Sequence, residues 1–453
     1  MAANSDLRAR RTAAQMHALA SVRREIRSRD SASGRKYLRE FTQAFRQFDS
    51  ILTDDQLEQQ LAAADVLLVG DYHALTASQR FAAELLERRA QNRPVVLGVE
   101  AVLSRDQRIL DAWWRREISE EDFRQRLRFD RDWGYDWAPF YNLLSSARDH
   151  AEGIYGLDCM PRTDLRRIRS RDRHASAKIC QMREQHPEAV IIVLFGESHM
   201  APQHLPRLVS EALPEQRILT VLQNVDTLYW KALEHQATAV SVNEDTVCVF
   251  NSSPLEKYES YRLCLERWNT PADDLPDFAP AVYNVISSLA KALGFRMDSP
   301  HNGTQPKFLS DSLPEVLNAP PGMTTNQELT KRLDENGCAY IAGINTFVVR
   351  EFQMAEVAGE AARFLHHACR GMCQTEDPQQ RVMEDALVDF GSRLLCPSNQ
   401  SENQVMGSPG QALYDAYLSG TMTRTMLRKL FLSQSDLPSE FARIGRISME
   451  SKL

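Results

Sequence analysis

Two stretches decide the fold: DVLLVGDYH (65–73) and AVIIVLFGESH (189–199). Each is an apolar run of strand length that stops at a glycine and at once presents a carboxylate and an imidazole. The first ends in Gly70, Asp71, Tyr72 and His73, the second in Gly196, Glu197, Ser198 and His199. Runs nearly continuous in Val, Ile and Leu suit strands covered on both faces, as in a parallel sheet flanked by helices. A Gly-acid-His ending is poor core material. It is good material for a ligand site at the carboxyl edge of such a sheet.

Outward from these stretches, PVVLGVE (94–100), GIYGLD (153–158), RILTVLQNV (217–225) and TVCVF (246–250) read as further strands. SQRFAAELLERRAQ (78–91) and the segments 163–186 and 203–212 read as helices between them. This alternation predicts an α/β domain over residues 61–252, with a mostly parallel sheet sandwiched by helices and right-handed crossovers. Residues 1–60 read as a charged N-terminal helical arm, amphipathic and packed on the domain that follows. Beyond residue 252 the alternation stops. Residues 253–453 are expected to be mainly helical, with a Pro-rich linker near 297–323 and a second loop over 396–410. AYIAGINTFVV (339–349) reads equally as strand or buried helix, because periodicity does not separate the two in a short apolar run.

A chain of 453 residues exceeds one hydrophobic core, so two to three domains are expected. A net charge of −7 argues against a general nucleic-acid binder, which needs a basic surface. No run approaches the ~20 apolar residues of a membrane span. The N-terminus, charged throughout, lacks the apolar core of a signal peptide, so the expected location is cytoplasmic. The final Ser451-Lys452-Leu453 is a peroxisomal address only in a eukaryote. The eight cysteines form no CxxC and are expected as free thiols. His366, His367, Cys369 and Cys373 could hold a metal, but their spacing reads more simply as the buried face of a helix.

In an open parallel sheet all carboxyl ends lie along one edge, with neighbouring strands ~4.8 Å apart. That edge would gather Asp71, His73, Glu100, Asp158, Glu197 and His199. Two imidazoles and a carboxylate (His73, His199 and Glu100) form a recurring metal-binding set with positions left open for water or substrate. Glu197 or Asp71 would then be the general base, and the metal would lower the pKa of bound water. The same groups could serve as acid and base without a metal. The plain structural alternative is that the acids cap the helices that follow. The crossover between Glu100 and Asp158 is longer than one helix needs. Its RFDRDWGYDWAPFY stretch (128–141) places Trp133, Tyr135 and Trp137 where they could wall a site or pack onto the sheet. Trp113 and Trp114 sit mid-helix and read as packing.

GDYHALTASQ (70–79), GVE (98–100), WGYDWAPFYNLL (133–144), GLD (156–158) and GESHM (196–200) resemble the ChaN-like domain. This is the haem-binding uptake domain of the Tiki superfamily, which also includes TraB-type proteins and erythromycin esterases. The resemblance covers roughly residues 60 to 250. Its paired GxxH motifs map onto Gly70–His73 and Gly196–His199, its intervening glutamate onto Glu100, and a polar position past the first histidine onto Gln79. It implies a cofactor, either haem or a divalent metal ion. Tyr72, Tyr135 or a histidine would ligate haem iron, and Gln79, Trp133, Trp137 and Asp158 would complete the ligand-binding set. The alternative it implies is a metal-dependent hydrolase, a protease or esterase. The chain departs from ChaN in lacking a lipoprotein signal, in its extra C-terminal residues, and in having Asp71 where family members often have Glu. The expected partners are a small-molecule or peptide ligand and a second copy of the chain as a homodimer, with no nucleic acid and no membrane span.

Overall fold

Strand β2 (Val66–Asp71) is buried at every residue, because helices cover both of its faces. The computed structural model to which it belongs describes residues 2–29, 36–160, 168–270, 276–295, 313–319, 327–370, 378–397 and 408–432. It divides into two compact units: Asp30–Cys264, and Met1–Arg29 together with Leu265–Leu453.

The Asp30–Cys264 unit is built on one sheet. Besides β2 it contains β1 (Ser50–Leu52), β3 (Val95–Leu103), β4 (Gly153–Asp158), β5 (Val190–Gly196), β6 (Ile218–Gln223), β7 (Ala239–Asn243) and β8 (Thr246–Val249). Among the described residues this is an eight-stranded sheet in the order β1-β7-β8-β6-β2-β5-β3-β4. The six strands from β8 to β4 run parallel, and β7 runs antiparallel to both β8 and β1. The fold is the expected α/β architecture with a mostly parallel sheet, closed at one edge by a short antiparallel ribbon that the strand reading stopped short of.

Side chains alternate across the sheet with period two. Leu67, Val69, Leu97, Val99, Ile192 and Leu194 face one core, which includes the helices Thr76–Ala90 and Trp137–His150. Val66, Leu68, Val96, Ile191, Val193 and Phe195 face the other, formed with the helices Ile168–Gln185 and Leu205–Ala212. Each fully buried aliphatic side chain contributes roughly 1.5–3 kcal/mol relative to exposure, so the central strands tolerate polar atoms only where they end. The crossover from β3 to β4 holds three α-helices, after a short 3-10 turn, before Trp137–His150. Arg128 separates two of them in a left-handed conformation (φ 53°).

The second unit contains the helices Ala2–Arg29, Ala279–Leu293, Gln327–Asn336, Met354–Arg370, Pro378–Leu395, Pro409–Ser419 and Arg424–Leu432. It is mainly helical, and it also carries a small sheet. Strands β9 (Glu315–Asn318), β10 (Cys338–Ile341) and β11 (Thr346–Val349) pair in the order β10-β11-β9. The ambiguous run 339–349 is therefore a hairpin: Asn345, at φ 48°, closes the turn between antiparallel β10 and β11. Strand β9 lies within the expected 297–323 linker, and residues 297–312 and 320–323 of that stretch fall outside the described residues. Residues 398–407 of the second loop, Cys373 and the terminal Ser-Lys-Leu also lie outside them. Among the described residues Cys180, Cys248, Cys338 and Cys369 are free thiols. His366 and His367 are buried, with His366 Nδ1 3.2 Å from the Phe431 carbonyl and His367 Nε2 3.3 Å from Glu384. No helix among the described residues is long and apolar enough to cross a membrane.

Candidate functional site

The register of the sheet brings the two GxxH motifs together. Strand β2 pairs with β5 such that Asp71 lies opposite Gly196, and β3 pairs with β5 on its other side up to Val99 and Leu194. Glu100, one residue beyond that last pair, therefore reaches the start of the second motif. Its Oε2 accepts the Gly196 N–H at 2.5 Å. A β-carbon on Gly196 would come within 3.0 Å of Glu100 Oε2 and 3.3 Å of the His73 ring, so a larger residue there would press on both groups.

Three carboxylates organise the histidines. Asp71, buried, accepts from Gln79 Nε2 at 2.5 Å and lies 2.7 Å from His73 Nδ1. Asp172, also buried, lies 2.5 Å from His199 Nδ1. Both histidines then turn their Nε2 atoms towards Glu100, at 3.7 Å for His73 and 3.8 Å for His199. Glu100 itself is held by Arg171, whose guanidinium also binds Asp158 through Nε at 2.7 Å and through its second nitrogen at 2.8 Å. Arg171 is thus shared between two strand-end carboxylates, as a fork-shaped donor permits.

These contacts set the charges. Burial alone would raise the Glu100 carboxyl, but Arg171, His73, His199 and the Gly196 N–H bring it down to about 2. Burial would lower the His73 imidazole, yet the Asp71 carboxylate and its hydrogen bond, with Glu100 behind, hold it above its ordinary value. Burial pushes Asp71 up against the pull of His73 and Gln79. It pushes the Tyr135 hydroxyl up as well, so Tyr135 stays neutral.

His73 keeps 19 % of its side-chain surface exposed, whereas His199 keeps 4 %. Two rings from the long crossover cover His73: Trp133 with its centroid at 4.4 Å and Tyr135 at 5.1 Å. Trp137, one turn further on, goes the other way. It is buried in the core, donates from Nε1 to Glu120 at 2.8 Å and stacks near Phe123, Phe129 and Tyr141. Tyr72 faces a separate neighbourhood, with the Lys257 ammonium 4.7 Å from its ring and Tyr258 and Tyr261 beside it. Lys257 also donates to Glu197 at 2.7 Å. Burial works against its charge, but Glu197 and Asp226 hold the ammonium pKa above its ordinary value.

The structure therefore gathers Asp71, His73, Gln79, Glu100, Asp158, His199, Trp133 and Tyr135 into one connected cluster. Glu197 and Tyr72 form an adjoining pair around Lys257, and Trp137 stands apart in the core. Three residues escaped sequence reasoning. Arg171 and Asp172 lie between Ile168 and Ala175 on the buried face of their helix, which continues through Ile179 and Met182. Two charges on an otherwise apolar helical stripe were a legible signal. Lys257 gave none, because it lies beyond the last strand and reaches back only in three dimensions.

Among the described residues no group of three or more His, Cys, Asp or Glu side chains is placed to hold a metal ion. The reason is visible at Glu100: an arginine and a backbone N–H take the oxygens that the expected His73, His199 and Glu100 set would offer. An isolated imidazole flanked by aromatic rings is a different donor set. His73 has one nitrogen fixed by Asp71 and the other 3.7 Å from Glu100, and an imidazole held in this way would suit a single nitrogen donor to haem iron.

Residues 57–191 match the family model for "Haem-binding uptake, Tiki superfamily, ChaN". No curated protein sequence matches the chain. Two solved structures are similar at low identity. The first, described as cofacial heme binding to ChaN of Campylobacter jejuni, is 15% identical with a TM-score of 0.28, covering 38% of this chain and 86% of that one. The second, the type III effector HopBA1, is 13% identical with a TM-score of 0.33, covering 45% of this chain and 96% of that one. The family match thus runs from the helix before β2 to the start of β5, and over that stretch the chain is similar to the ChaN domain of the Tiki superfamily.

Proposed function

We propose that this chain binds haem at the carboxyl edge of its sheet, with His73 as the donor to iron and Trp133 and Tyr135 against the porphyrin. The observation that carries this reading is the contrast between the two histidines. His73 is partly exposed, oriented by Asp71 and flanked by aromatic rings, while His199 is enclosed and tied to Asp172. The match of residues 57–191 to a haem-binding uptake family supports the choice of ligand. Bound haem would supply an iron centre whose properties depend on the residue that donates to it. The chain's own residues fix the imidazole tautomer through Asp71 and provide apolar cover through the two rings.

Titration of hemin into the full chain tests this. A saturable Soret shift is expected for the wild type and for Trp137→Phe, and its loss for His73→Ala. A His73→Ala variant with the wild-type spectrum and affinity would overturn the reading.

A second reading, hydrolysis of an ester or peptide bond, is supported by the two His–Asp pairs that converge on Glu100. The Arg171–Glu100 pair favours acid–base chemistry without a metal over the metal-dependent form. Hydrolysis that survives chelation and is lost in both His73→Ala and His199→Ala would support it. Loss on chelation, with recovery on adding zinc, would favour the metal-dependent form.

A further inference from the structure

Beside Asp172, between the two helices Ile168–Gln185 and Leu205–Ala212, lies a cavity of about 290 Å³. Its walls come from two helices. Ile168–Gln185 supplies Arg169, Asp172 and Arg173, and Leu205–Ala212, with the turn before it, supplies Gln203, His204 and Arg207. Its charge is opposite to that of the whole chain, which carries −7. Arg169 and Arg173 are exposed and have no carboxylate partner among the described residues. Arg207 approaches Glu211 only at 3.8 Å, with both side chains mostly exposed. Three arginines therefore line one hollow, Arg169 and Arg173 without a carboxylate partner among the described residues and Arg207 only loosely paired with Glu211.

The floor is built from buried polar groups, unlike a chance patch of surface arginines. Asp172 is 1% exposed and His204 3%. Asp172 Oδ1 is 2.5 Å from His199 Nδ1, and its Oδ2 faces His204 Nδ1 at 3.6 Å. His204 is fixed at its other nitrogen by Glu40, 3.2 Å away. Burial holds the His204 imidazole below its ordinary pKa, against the pull of Asp172 and Glu40.

We propose that this cavity is a binding site for a phosphate monoester, distinct from the His73 cluster. Three arginines against the Asp172 carboxylate, with Glu211 only loosely paired to Arg207, leave a positively charged lining that suits an anionic group. Guanidinium forks arriving from two helices suit the several acceptor oxygens of a tetrahedral anion better than one planar carboxylate. The volume is near the lower end of small-molecule sites and exceeds what a bare phosphate fills, leaving room for the group esterified to it. Because Asp172 forms both the cavity floor and the hydrogen bond to His199, occupancy would be felt at the second GxxH motif.

Calorimetric titration of inorganic phosphate, glycerol phosphate and citrate into the full chain tests the site. Glycerol phosphate is expected to bind saturably at one site, more tightly than inorganic phosphate or citrate. The Arg173→Gln/Arg207→Gln variant should weaken it on the order of tenfold or more, as loss of charge-assisted contacts requires. Arg105→Gln, whose arginine lies beside Asp106 outside the cavity, should bind as the wild type does. Inorganic phosphate binding as tightly as glycerol phosphate would overturn the monoester assignment. Citrate binding as tightly would overturn the tetrahedral one. Equal affinity in the double arginine variant, or non-saturable heat, would overturn the site. An added readout is the His199 ring signal in NMR, expected to shift when glycerol phosphate is added to wild type and to stay still in the double variant.

Discussion

Glu100 Oε2 accepts the backbone N–H of Gly196 at 2.5 Å, which fastens the end of β3 to the first residue of the second GxxH motif. The contact exists because residue 196 has no side chain. A methyl group there would meet the Glu100 oxygen at 3.0 Å and the His73 ring at 3.3 Å. Gly196→Ala should therefore displace both groups and cost about 1–3 kcal/mol, as overpacking of a buried site does. Urea unfolding gives the stability change and hemin titration the loss of His73 geometry. Unchanged stability and unchanged hemin binding together would contradict the close approach.

Arg171 joins Glu100 to Asp158, all three buried. Removing the cation leaves two buried carboxylates without their shared guanidinium counter-charge. Arg171→Met is expected to destabilise the Asp30–Cys264 unit by about 3–5 kcal/mol, the cost of breaking a buried ion pair. Part of that loss should return in Arg171→Met/Asp158→Asn. Denaturant melts of the two variants decide it, and equal stability of Arg171→Met and wild type would sink it.

Lys257 is the counter-charge of Glu197, and it also lies over the Tyr72 ring. Lys257→Met should destabilise on the same scale, about 3–5 kcal/mol, because it strands a largely buried carboxylate. Lys257→Met/Glu197→Leu should recover most of the loss. A double variant no more stable than the single one would show that the pair is not the source of the effect.

Stability should depend on pH from two sides. Glu100 lies at about 2 in the folded chain against an ordinary 4.5. Its contribution is therefore complete above 4.5 and is lost as pH falls from there towards 2. His73 is raised above its ordinary 6.5, so its contribution is complete below 6.5 and is lost as pH rises through its folded value. Urea midpoints measured across pH should fall on both sides of the window between these limits. The alkaline fall should shrink in His73→Gln while the acid fall remains. An alkaline limb identical in His73→Gln would assign it elsewhere.

Much of the fold was legible locally. The runs at 65–70, 94–100 and 189–195 are continuous in Val, Ile and Leu because both faces of β2, β3 and β5 are covered, and that burial is written into every position. The short run 339–349 was not legible, since strand and buried helix bury such a stretch equally and only the partner strand decides. The candidate site divides in the same way. Asp71, His73, Glu100, Glu197 and His199 stand out in sequence because polar residues at the ends of apolar strands have no packing purpose.

The sequence by itself determined the strands, their glycine-terminated ends and the residue types on one edge. Tertiary structure decided who meets whom. The β2–β5–β3 order, fixed by long-range pairing, set His73 and His199 on either side of Glu100. Side-chain packing sent Trp133 to His73 and Trp137 into the core, although the two lie four residues apart. Arg171, from a helix some seventy residues downstream of Glu100, took the carboxylate that the sequence offered to a metal. A hydrogen bond or ion pair depends on distance in space, and distance along the chain does not record it.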